Sequence, residues 1–100
     1  MEQSKHTDDT QYLIKKNMEQ VLRLLLKKNK QYGDSATKPA NIFSKANAVN
    51  SISARIDDKL MRIKNKGINK NTLDTVDDLI GYLVLLKIAI NDEENEKKNE

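Results

Sequence analysis

The chain has no cysteine and no tryptophan, a single phenylalanine at Phe43, one proline at Pro39 and three glycines among its 100 residues. Without cysteine there is no disulfide frame, no Cys-based zinc site and no thiol nucleophile, a composition compatible with a reducing compartment. Aromatic residues are only 4% of the chain, which disfavours a β-sandwich, because strands draw on aromatic and β-branched side chains. Long apolar runs are also missing. Every hydrophobic stretch is interrupted before it could span a bilayer, and the polar start MEQSKHTDD lacks the apolar core of a signal peptide. The expectation is a soluble, cytoplasmic protein without membrane contact.

What is present in quantity is charge and Leu, Ile, Lys, Asn and Asp. Charged residues make up 33%, yet the net charge is only +3, because bases and acids are interspersed. That balance is a weak argument for nucleic acid and permits any phosphate-bearing ligand.

Apolar residues recur at helical spacing in three segments. Ile14, Met18, Val21, Leu22 and Leu25 predict a helix over about 10–30, closed by Lys27, Lys28 and Lys30, which suit the negative end of its dipole. Gly33, Asp34, Ser35 and Pro39 then predict a loop. Phe43, Ala46, Val49, Ile52, Ile56, Leu60 and Ile63 predict a second helix over about 40–66, with Gly67 at its C′ position. A third helix, capped by Asn71 or Thr72, runs to about residue 90. The predicted organisation is a flexible segment 1–9, one all-α domain over 10–90 and a disordered charged tail 91–100.

The fold class is therefore all-α, a small bundle of three main helices. From 79 to 90 almost every residue is apolar, which leaves that helix little surface for water. A homo-oligomer, most simply a dimer completing a four-helix-like core around the third helix, would cover it.

Two polar stripes stand out. Helical geometry places Asp78 and Gly81 within about 40° of Asp74, and Asp77 about 60° from it. On the second helix Arg55, Asp58, Lys59 and Arg62 share one stripe while Asp57 points elsewhere. The plain reading is salt bridging between the stripes, or simple solvation. Acids in a first turn also favour the helix dipole with no further role. The chemical reading is that carboxylates hold Mg²⁺, whose octahedron is completed by water and phosphate, while Arg and Lys hold phosphate oxygens.

Three segments, KKNKQYG at 27–33, RIDDKLMRI at 55–63 and DTVDDLIGYLVLL at 74–86, together resemble the nucleotide-modification-associated domain family common in bacteriophages. That family in turn looks like a branch of the MazG-like all-α nucleoside triphosphate pyrophosphatase superfamily. The resemblance covers about residues 18–90 with the motifs in the family's order. It implies an oligomeric, Mg²⁺-dependent protein that binds NTP or dNTP and releases pyrophosphate, in the host cytoplasm if phage-encoded. By position it implies Asp58, Asp74 and Asp78 as metal ligands, Asp57 or Asp77 aligning the attacking water, and Lys28, Lys30, Arg55, Lys59 and Arg62 on phosphates. Tyr32 and Gly33 match the family's loop, where Tyr32 can stack on the base.

The chain departs from the superfamily in two places. Only Asp57 and Asp58 stand where better-studied pyrophosphatases carry a dense glutamate cluster, and Lys70 stands where a glutamate often precedes the last motif. Fewer ligands weigh on catalysis more than on binding. The alternative to the hydrolase is thus a nucleotide-binding protein without turnover, such as a sponge for a host-defence nucleotide signal. A helical interaction or DNA-binding protein is a third class. Against it, no helix has an unbroken basic run.

Overall fold

The computed structural model describes residues 5–33 and 47–99. Among these the chain is all-α, as its composition predicts. It has three helices, α1 (Lys5–Tyr32), α2 (Ala48–Lys66) and α3 (Leu73–Asn99), with a single 3-10 turn at Lys70–Thr72 before α3 and no strand. No helix among the described residues is long and apolar enough to cross a membrane. The chain divides into two compact units, Met1–Gly33 and Asp34–Glu100.

The first unit is built on α1, 28 residues and about 42 Å long at the usual rise. Neither glycine nor proline interrupts it, and Ile14, Met18, Val21 and Leu25 follow one another by four, three and four residues, a continuous stripe. Val21 is buried, whereas Ile14, Met18 and Leu22 are each more than half exposed. The helix stops where glycine allows it. Gly33 takes φ +68°, its N–H donates to the Asn29 carbonyl at 2.7 Å, and the Asn29 side-chain amide donates to the Gly33 carbonyl at 2.9 Å. Its start at Lys5 lies five residues before the expected one near residue 10.

In the second unit α2 begins at a well-formed cap: the Asn47 side chain accepts from the Asn50 N–H at 2.8 Å. The expected start near residue 40, with Phe43, Ala46 and the Pro39 loop, lies outside the described residues. At the far end Gly67 donates its N–H to the Ile63 carbonyl at 2.7 Å. Its φ of +85° and ψ of −179° differ from the left-handed helical pair expected at C′. The backbone here is extended with positive φ, a conformation close to glycine-only, and it turns the chain directly into the connection.

That connection is held by side chains. The Asn69 carboxamide oxygen accepts from the Asn71 N–H at 2.8 Å, and the Thr72 hydroxyl oxygen accepts from the Asn69 N–H at 3.1 Å. Each thus satisfies a donor near the start of the other's turn. The observed cap at Asn69 belongs to the 3-10 turn, and α3 itself starts at Leu73, directly after the expected cap position Thr72; Thr72 is the reciprocating member and is fully buried, at 0% exposure. Helix α3 then runs to Asn99, past the expected end near residue 90. After Gly81 the sequence contains no glycine or proline to stop it, and acids at 93 and 94 are followed four residues on by lysines, an order that favours helix.

Helices α2 and α3 pack on one another, antiparallel as a connection this short requires. The α2 face toward α3 carries Val49, Ile52, Ile56, Lys59 and Ile63, all buried or half-buried. The α3 face carries Thr75, Asp78, Tyr82, Leu85 and Ala89, likewise buried or half-buried. Both sets step by three and four residues, the seam pattern of paired helices. Ile52 is its best-enclosed aliphatic side chain, at 0% exposure. The seam is apolar at its far end and carries the charged residues Lys59 and Asp78, with buried Thr75, in the half nearer the connection.

Candidate functional site at the α2–α3 seam

The polar half of the seam is organised by one ion pair. Lys59 Nζ lies 3.2 Å from Asp78 Oδ2, with the side chains 27% and 21% exposed. Both residues occupy seam positions, so each helix presents its charged group to the other, and the remaining exposure leaves the pair accessible from the rim. From this contact and the equal rise of both helices, Ile52 is level with Leu85, and Ile56 with Gly81 and Tyr82. The apolar layers above the pair therefore fix its position. Among the described residues no buried polar side-chain atom is left without a partner.

Along the rim of α2, Arg55 and Arg62 stand four residues before and three after Lys59, a basic row about 10 Å long. Both are exposed, and neither has an ion-pair partner among the described residues. The row thus has a clamped centre and two open ends. On α3, Asp74 is exposed one turn before Asp78, and its Oδ1 accepts from the Thr75 N–H at 2.9 Å. This is a local contact that leaves the carboxylate at the helix entrance. Asp77 is half-buried on the flank of α3 away from α2.

The other expected site residues are distributed as follows. Asp58 is exposed beside Arg55 and Arg62 on the outer rim of α2, and Asp57 is exposed on the side of α2 turned away from α3. Lys28 and Lys30 are exposed near the C-terminus of α1. Tyr32 is the last residue of that helix, and its side chain lies outside the described residues. The structure thus brings Lys59 and Asp78 together and lines Arg55 and Arg62 beside them. Among the described residues no three of the His, Asp and Glu side chains gather as a group that could hold a metal ion. The buried polar residues that periodicity alone did not mark are Thr75, one turn before Asp78 on α3, and Thr72 in the connection, at 1% and 0% exposure. Their sequence signal is the Asn69-Lys70-Asn71-Thr72 cap and the three-residue step from Thr75 to Asp78.

The geometry defines a helical hairpin with a partly enclosed cation–carboxylate pair flanked by two arginines. Guanidinium and ammonium groups of this kind can donate charge-assisted hydrogen bonds to an anion, and carboxylate oxygens can face a cation. No family model matches the chain, and neither does any curated protein or solved structure.

Proposed function

We propose that this protein binds nucleoside triphosphates, NTP or dNTP, with Mg²⁺ at the rim of the α2–α3 seam, and hydrolyses them to the monophosphate and pyrophosphate. The observation that carries the reading is the Lys59–Asp78 ion pair at 3.2 Å. It joins the basic row of α2 to the acidic entrance of α3, so that phosphate-binding and metal-binding groups share one rim. The ordered motifs in 27–33, 55–63 and 74–86 support it from the sequence.

In this reading Arg55 and Arg62 take phosphate oxygens in bidentate contacts, and Lys59 turns from Asp78 to a third. Asp74 and Asp78, one turn apart on α3, supply two hard oxygen donors, while Asp58 on the outer rim of α2 belongs to the metal set through the sequence motif alone. This is too few for an all-protein cage and suits Mg²⁺ completed by water and phosphate. When bound with nucleotide the ion neutralises charge on the phosphates. The water oxygen adds to the α-phosphorus, the bond to the bridging oxygen breaks, pyrophosphate leaves and the water's proton is released to solvent; the role of Asp57 or Asp77 in aligning that water comes from the sequence motif alone. Lys28, Lys30 and Tyr32, in the first unit, are assigned to substrate by the loop motif alone and are not part of the rim. The setting is the cytoplasm, where nucleotide and Mg²⁺ are abundant, with a second copy of the chain covering apolar side chains left exposed on α3, namely Leu73, Leu83, Ile88 and Ile90.

A second reading, binding without turnover, is favoured by a specific observation. Asp78 is already engaged by a lysine, which suits holding an anion better than activating a water. One experiment separates the two: incubation with NTPs and dNTPs plus Mg²⁺, with mass spectrometry of both products and protein-bound ligand. Monophosphate and pyrophosphate, lost on Asp74→Asn, identify the hydrolase; intact bound nucleotide identifies the binder. Neither product nor bound ligand would refute both.

A further inference from the structure

The basic row of α2 is occupied at its centre by a carboxylate from its own chain. Arg55 and Arg62 have no ion-pair partner among the described residues, while Lys59 between them is held by Asp78 at 3.2 Å. A carboxylate oxygen offers a lysine ammonium the same kind of charge-assisted contact that a phosphate oxygen does. We infer that Asp78 is an internal competitor for Lys59: an autoinhibitory contact that holds the anion site closed at its centre until a polyanion displaces it.

The burial of the pair makes this exchange feasible. At 27% and 21% exposure the two groups are enclosed enough for their attraction to exceed that of a fully solvated pair, and open enough for an incoming anion to reach the ammonium from the rim. An anion engaging both arginines gains a third cation only if Lys59 leaves Asp78. The net affinity is therefore the affinity for all three cations reduced by the strength of the internal pair. Any cation that takes up the Asp78 carboxylate favours the same exchange, so anion and divalent cation are expected to strengthen each other's binding. This inference rests on the reading of the rim as a phosphate site, and it adds the control of that site.

The probe is inorganic tripolyphosphate, titrated calorimetrically into the full chain without divalent cations, using wild type, Asp78→Asn, Asp77→Asn and Lys59→Met. Asp77→Asn makes the same change of net charge on the adjacent residue, which has no partner among the described residues. Release of Lys59 is expected to tighten binding by about three- to fivefold in Asp78→Asn relative to Asp77→Asn, the size of a partly exposed ion pair. In the Lys59→Met background that difference should vanish. Equal affinities for the two Asn variants, or a difference that survives Lys59→Met, would overturn the internal competitor while leaving the anion site standing. Absence of tripolyphosphate binding by wild type and every variant would overturn the phosphate site itself, and the inference with it.

Discussion

Replacing Ile52 by alanine removes the apolar layer that fixes the seam. Ile52 is 0% exposed, and the register set by the ion pair puts it level with Leu85, midway along the apolar half of the α2–α3 interface. The substitution deletes three carbons from a fully enclosed site. At about 0.8 kcal/mol for each buried methylene-sized group, the transfer contribution alone is about 2.4 kcal/mol. A cavity contribution adds to this to the extent that neighbours cannot close in. Leu85 is only half-buried and can relax toward the space, which keeps the total near the lower part of the usual range, about 2.5–3.5 kcal/mol. For a chain of this size that corresponds to a fall in Tm of roughly 10–25 °C. Urea unfolding followed by circular dichroism at the helical band gives the value directly. A loss below about 0.5 kcal/mol would refute the reasoning, because it would mean that Ile52 is not enclosed between α2 and α3 in solution.

Three further substitutions probe the connection and the pair. Gly67→Ala should cost about 1–3 kcal/mol in the same assay through backbone strain alone, since an added Cβ would meet nothing nearer than the Asn69 side-chain nitrogen at 3.5 Å. Asn69→Ala should cost about 1 kcal/mol, and Thr72→Val about 1–3 kcal/mol by leaving the Asn69 N–H and Gly67 carbonyl without their partner. Because the two side chains form one reciprocal cap, the double variant should lose less than the sum. Lys59→Met should destabilise by about 1 kcal/mol by removing the lysine's attraction to the half-buried Asp78 carboxylate, whereas Lys59→Met with Asp78→Leu should unfold at a urea midpoint equal to or above that of wild type.

The helices were legible because their signals are redundant. The 14-18-21-25 and 49-52-56-63 spacings each repeat an apolar residue over several turns, and the breakers at Gly33 and Gly67 coincide with the observed ends. Boundaries without such redundancy moved. Helix α3 starts at Leu73, directly after Thr72, but the observed side-chain cap lies at Asn69 because it closes a 3-10 turn before the α-helix begins, a geometry that apolar spacing does not encode. The polar stripes were partly legible. Helical angles correctly grouped Arg55, Lys59 and Arg62, but Lys59 is also the fourth member of the 49-52-56-59-63 seam, and a lysine does not mark a core position on a hydropathy pattern. Asp78 is hidden in the same way between Thr75 and Tyr82. Only the packing of α2 on α3 shows that two charges from different stripes meet, because which faces come together depends on both helices at once.

A lysine and an aspartate at facing seam positions pose a physical question that stability alone does not answer. Apolar side chains of similar volume at the same two positions would remove the desolvation cost of both charges and extend the Ile52 layer toward Thr75. If the pair only sets the register of the hairpin, the short connection Gly67–Thr72 and its cap already constrain that register. The pair would then be nearly redundant, and the doubly apolar variant should keep every property of wild type. If the pair is the closed form of an anion site, the same variant should be at least as stable as wild type and yet bind polyphosphate more weakly, through the two arginines alone. A protein whose stability and anion affinity move in opposite directions on one double substitution carries that pair for the ligand, and one in which neither changes carries it at most for a register that the connection already sets.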